Sequence, residues 1–192
     1  MAHLHCILED LKQIINECAS GNIKAQEQLY RTFAPKMFGI CLRYAKDRTE
    51  AEDNLHEGFI KVYSSIKSFR HEGSFEGWMR KIMVNVSLEK FRKQQTMYPV
   101  EDMVLYADSH ATDDVLAEIS AQELLVLIQQ LPPRYRMVFN LYVMEGMNHE
   151  EISREMNISV GTSKSNLSRS RDILKDKVKK LYGEAGKNNN TA

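Results

Sequence analysis

From Gln94 to Pro133 the chain contains neither lysine nor arginine. The same span holds Glu101, Asp102, Asp108, Asp113, Asp114, Glu118 and Glu123. Lys and Arg total 26, as do Asp and Glu, so the formal net charge is zero. That balance excludes a whole-molecule polyelectrolyte, yet it hides an acidic middle with basic residues on both sides. Such segregation signals charged partners. Cysteine is scarce. Cys6, Cys18 and Cys41 are odd in number and lack framework spacing, which argues against disulfides and for a reducing compartment. No apolar run approaches membrane-spanning length. The start, "MAHLHCILEDLKQ", lacks the charged and apolar regions of a secretion signal. These absences imply a cytoplasmic protein with no membrane insertion. No nucleophile elbow, phosphate loop or pair of pocket carboxylates is evident, which argues against an enzyme. His3, His5 and Cys6 have no further ligands in evidence, so neither a metal nor another cofactor is expected.

What is present is helical. Leu4, Ile7, Leu8, Leu11, Ile14, Ile15 and Cys18 recur at three- and four-residue steps. A second helix follows Gly21 and Asn22, and Pro35 is expected to begin a new segment within it. A third begins near Thr49, which has capping-box spacing to Glu52. Its core face is Leu55, Phe59, Val62, Tyr63 and Ile66. Ser74 is positioned to cap a fourth, with Phe75, Trp78, Ile82 and Val86 as its stripe. Later helices are expected from Val115, with Leu116, Ile119 and Leu124–Ile128 as apolar positions, to Leu131; after Pro132–Pro133; from Asn148; and from Ser159 to about Tyr182. The expected fold is all-α: two small helical domains, 1–95 and 114–182, joined by an acidic flexible linker, 96–113. A disordered tail, 183–192, follows.

The stretch "NISVGTSKSNLSRSR", Asn157–Arg171, is a helix start without a carboxylate. Ser163, Lys164, Ser165, Asn166, Ser168, Arg169 and Arg171 are read as presented together. A solvated helix normally mixes both charges, which support each other one turn apart. This one suits a negative partner with hydrogen-bonding edges. The preceding "HEEISREMN" and a turn at Asn157 complete a helix-turn-helix pattern. Its second helix fits the DNA major groove, where Lys and Arg meet base acceptors and hydroxyls meet phosphates. Thr162, Lys164, Ser165, Ser168, Arg169 and Arg171 are the expected contacts. "AEDNLHEGF", Ala51–Phe59, poses the opposite case. Asp53, His56 and Glu57 share the face opposite Leu55, Phe59 and Val62, as a docking surface for a basic partner would.

The segment from Ala51 to Lys93 resembles the second conserved domain of the bacterial extracytoplasmic-function (ECF) sigma factors. "LPPRYRMVFNLYVMEGMNHEEISREMNISVGTSKSNLSRSRDIL" resembles their fourth, so the C-terminal domain would be their helix-turn-helix. The resemblance implies an alternative sigma factor that binds core RNA polymerase and melts promoter DNA. Asp53, His56 and Glu57 would then dock on the polymerase clamp helices. The family usually has Gln at His56 and an aliphatic residue at Asn54. Arg80, Lys81, Asn85, Arg92 and Lys93 would meet the minus-ten element, with Val84 and Asn85 matching the family's "VN" pair. Thr162, Lys164, Ser165, Ser168, Arg169 and Arg171 would meet the minus-thirty-five element. The acidic linker would run toward the polymerase active-site channel. Many relatives have an anti-sigma partner. The alternative is a stand-alone helix-turn-helix regulator that binds duplex DNA without polymerase.

Overall fold

A computed structural model describes residues 2–97 and 120–188, with side chains over 10–94 and 120–182. Every regular element among the described residues is a helix. The chain divides into two compact units, Met1–Ser87 and Leu88–Ala192. The expected linker lies almost wholly outside the described residues, as do 189–192 of the expected tail.

The first unit packs α1 (Ala2–Ala19), α2 (Ile23–Tyr44) and α3 (Arg48–Ser65), a short 3-10 turn (Ile66–Ser68), and the start of α4 (Phe75–Met97). Gly21 makes the break after α1 with φ +88, and Asn22 caps α2 through Lys24 N and Ala25 N. Pro35 does not start a segment. It sits exposed inside a continuous α2, whose buried Leu29, Phe33, Met37, Ile40 and Cys41 lie on both sides of it. Their burial outweighs the one backbone bond that proline removes. The third helix starts upstream of Thr49: Asp47 accepts from Glu50 N at 2.8 Å, and Glu50 Oε2 accepts from Lys46 N at 2.7 Å. A charged acceptor at Asp47 satisfies the first-turn amides better than a threonine hydroxyl does. Ser74 caps the start of α4 as expected, through Gly77 N at 3.0 Å.

The core stripe of α4 is shifted from the one expected. Met79 and Met83 are fully buried, while Trp78 and Ile82 are half-buried. Unbranched methionine fills the narrow gap left where α3 presents Gly58. A Cβ at Gly58 would overlap Met83 Sδ, so a larger residue there requires the flexible end of Met83 to shift.

Tyr63 donates to Gln26 O at 2.9 Å, tying α3 to α2. Burial, with Cys18 and Tyr30 nearby, pushes its phenol from 10.0 up to about 12. A raised folded value means that the contribution is whole below the unfolded value and is lost as pH climbs through the folded one. In an ultraviolet titration one tyrosine should therefore ionise well after the ordinary ones, together with loss of helicity between pH 10 and 12. Tyr63→Phe should remove that late step.

The second unit contains the end of α4, then α5 (Ala121–Gln129), α6 (Pro133–Val143), α7 (His149–Met156) and α8 (Val160–Asn188). Ser120 and Glu123 form a capping box on α5, and Asn148 and Glu151 form another on α7. The hydrogen bonds from Ser120 hold the Glu123 carboxyl below its usual range. Asn157 ends α7 in the left-handed conformation, φ 51, as the turn requires. The last helix runs beyond Tyr182 to Asn188.

Arg136 of α6 is only 5% exposed. Its Nη1 donates to Gln129 O at 2.6 Å and to Leu131 O at 3.4 Å, at the C-terminal end of α5. Those carbonyls carry the negative end of the helix dipole and solvate the buried cation. Arg136→Met keeps the bulk and removes the donor. It should cost about 2 kcal/mol in a urea melt of the full chain.

Candidate polymerase and nucleic-acid interfaces

The first candidate face is on α3. Ala51, Asn54, Leu55, Gly58, Phe59 and Val62 turn inward. That leaves Asp53 and His56 exposed and Glu57 half-buried, on one stripe as expected. Lys61 Nζ lies 3.8 Å from Glu57 Oε1, a loose surface pair worth little. Ile60 continues the stripe one turn on and is 68% exposed. Sequence reading passed over it, although it was the large apolar residue out of phase with the core. An exposed apolar residue inside a charged rim gives a docking patch an anchor that water does not satisfy. Behind the stripe, Asn54 is buried and its Nδ2 meets Ser87 Oγ at 3.4 Å, while Ser87 donates to Met83 O at 3.0 Å. Ser87 thus partners the amide nitrogen of Asn54, at a position where an aliphatic residue is usual, while Asn54 Oδ1 is buried without a hydrogen-bond partner.

The second candidate face is on α4. Lys81 and Asn85 are exposed, one turn apart, and Arg80 is half-buried. Arg92 and Lys93 are exposed further along the same helix, in the second unit. Before α4, His71 has φ 57 and its ring meets Phe69 at 4.7 Å. Phe69, Phe75 and Trp78 form one aromatic cluster, with Trp78 stacked on Phe75 at 5.4 Å. Trp78 is therefore a packing residue with one part left in solvent.

The third candidate face is on α8. Lys164, Ser165, Ser168 and Arg171 are exposed, and Thr162 and Arg169 are half-buried. Ser159 Oγ accepts from Thr162 N at 2.9 Å and lies 2.8 Å from Thr162 Oγ1, which sets the first turn. Arg169 Nη1 reaches the Tyr135 hydroxyl at 3.4 Å. Ser163 and Asn166 do not belong to this surface. They are 0% and 2% exposed. The packing stripe of α8 runs Ser163, Leu167, Ser170, Leu174 and Val178, all buried. That phase was readable from Leu167, Leu174 and Val178, but the polar character of Ser163 and Ser170 masked it.

Among the described residues no cluster of three or more His, Cys, Asp or Glu has metal-binding geometry. The side chains of His3, His5 and Cys6 lie outside the description. No described helix is long and apolar enough to cross a membrane.

Residues 29–96 match the sequence profile of Sigma-70 region 2, and residues 121–174 match that of Sigma-70, region 4. The RNA polymerase sigma-H factor of Pseudomonas aeruginosa is 28% identical over 189 residues, covering 92% of this chain and 98% of that protein. The ECF RNA polymerase sigma factor SigW of Bacillus subtilis is 30% identical over 184 residues, covering 89% and 98%. The chain belongs to the ECF sigma factors. The ECF sigma-E factor of Escherichia coli is 29% identical over 180 residues, covering 88% and 94%. A solved structure of the sigma factor RpoE of Bartonella quintana, in complex with the anti-sigma factor NepR, aligns at 19% identity and TM-score 0.47 over 80% of this chain and 96% of that one.

As an ECF sigma factor the protein is an alternative sigma factor that directs transcription initiation, and sigma factors are initiation factors rather than enzymes. The region 2 match retires the stand-alone regulator, which leaves residues 29–96 without a purpose.

Proposed function

We propose that this ECF sigma factor divides its work between its two units. The stripe of Asp53, His56 and Glu57 docks on a basic surface of core RNA polymerase. Arg80, Lys81, Asn85, Arg92 and Lys93 meet the minus-ten element. Backbone charge and an amide are what capture of an unstacked base needs. Thr162, Lys164, Ser165, Ser168, Arg169 and Arg171 meet the minus-thirty-five element in the major groove. In this reading residues 1–95 and 114–182 are the working domains. The acidic 96–113 segment mimics nucleic acid in a basic polymerase channel. The protein acts in the cytoplasm, and an anti-sigma partner that covers the same faces holds it inactive.

One observation carries the reading: α3 exposes carboxylates and α8 exposes cations and hydroxyls, each on an ordered helix backed by its own core. Photocrosslinking tests it. A photoreactive side chain at Asp53 should capture a large polymerase subunit in the holoenzyme, and one at Ser168 should capture promoter duplex. Crosslinks at Asp53 to DNA, or at Ser168 to polymerase alone, would contradict it.

A further inference from the structure

The recognition helix carries a buried hydroxyl that DNA binding does not use. Ser163 is 0% exposed, although Thr162 and Lys164 beside it belong to the proposed DNA surface. A hydroxyl in an apolar packing face costs free energy unless it is paired. Its partner is His149, the first residue of α7, whose Nδ1 lies 2.9 Å from Ser163 Oγ. The half-buried imidazole is itself stacked on Tyr142 of α6, with centroids 4.8 Å apart and planes at 27°. Arg171 brings its guanidinium carbon to 5.7 Å from the centre of the same Tyr142 ring. Ser163, His149, Tyr142 and Arg171 thus form one connected row across α6, α7 and α8. Both ends of the row are on α8, and they bracket Lys164, Ser165 and Ser168.

An apolar contact holds two helices together but tolerates sliding. A hydrogen bond to a ring nitrogen has a direction and a narrow range of lengths. The His149–Ser163 bond therefore fixes both the rotation of α8 about its axis and its offset against α7. Base reading depends on that register, because a displacement of about 1 Å is enough to break bidentate contacts.

We propose that His149 is a positioning residue for base reading. Through Ser163 it sets the register of the recognition helix, and Tyr142 holds the imidazole while linking it to Arg171. This rests on α8 being the helix that reads promoter DNA.

The test uses holoenzyme assembled from the full chain and sigma-free bacterial core polymerase. It is offered a duplex library randomised over the upstream element, and the bound DNA is sequenced. Wild type should enrich one motif. His149→Ala and Ser163→Ala should each lower that enrichment by roughly three- to tenfold, the worth of one hydrogen bond. The double variant should be no worse than either single, because both remove the same interaction. His149→Asn should recover most of the enrichment, since its amide stands where Nδ1 does. His149→Gln, whose amide reaches the Nε2 position instead, should not. Core-polymerase binding should match wild type, and Ser163→Ala should melt close to it, whereas His149→Ala leaves the Ser163 hydroxyl buried without its partner and is expected to melt somewhat earlier. If His149→Ala melts early, Ser163→Ala, which deletes a single oxygen, carries the test. Unchanged enrichment in both singles, additive losses in the double, or an Asn variant as poor as Ala would overturn the proposal. A wild-type holoenzyme that enriches nothing would instead overturn the DNA-reading role of α8, and this inference with it.

Discussion

Replacing Asp53 and Glu57 together by arginine should weaken core-polymerase binding by about a hundredfold or more, because like charges across an interface cost several kcal/mol. Both residues stand on the outward stripe of α3, and neither is buried. The fold should survive. The Glu57–Lys61 pair that the substitution removes is a loose one at 3.8 Å, and such surface pairs contribute little. A thermal melt within a degree or two of wild type, beside a failed pull-down of core polymerase, is the expected result. DNA binding by the free variant should be unaffected, since α8 is in the other unit. A normal pull-down would retire α3 as the docking helix.

The second large effect is on the DNA side. Lys164→Ala with Arg169→Ala should abolish promoter-specific initiation, a loss of about a hundredfold or more at roughly 1–3 kcal/mol for each base contact. Lys164 is exposed. Arg169 is half-buried and held by the Tyr135 hydroxyl at 3.4 Å. That contact pre-orients the guanidinium, so less entropy is lost when it meets a base. It also gives the side chain a packing role, so a melt must accompany the assay. Polymerase binding should be unchanged. If the variant initiates normally, these side chains do not read the upstream element.

Much of this was legible in the chain. The helices, the cap at Asn148 and the left-handed turn at Asn157 follow from local chemistry that few residues decide, while the capping box at Ser120 emerged only with the structure. The stripe of Asp53, His56 and Glu57 was readable because Leu55, Phe59 and Val62 fix the phase of α3. Where reading missed, tertiary context had overridden local signals. Asp47 rather than Thr49 is the cap because its carboxylate accepts from Glu50 N and starts the helix two residues earlier. Met79 and Met83 are buried in the α4 core where Trp78 and Ile82 were expected, and Met83 fills the narrow gap that Gly58 leaves opposite it. No single-helix pattern reveals that gap. Ser163 and Asn166 read as surface because they are polar, while their burial depends on α8 packing against its neighbours. The partner that makes Ser163 tolerable, His149, lies 14 residues earlier. Ile60 was visible as an out-of-phase apolar residue, and only the packing of α3 shows it exposed.

Reconstitution tests the central claim most directly. The purified protein would be mixed with bacterial core RNA polymerase lacking any sigma factor, fragmented genomic DNA and nucleotides, and the transcript starts sequenced. The account predicts discrete starts, each preceded by the same two spaced elements. A stable footprint from the protein alone, with no complex with polymerase and no defined starts, would contradict it.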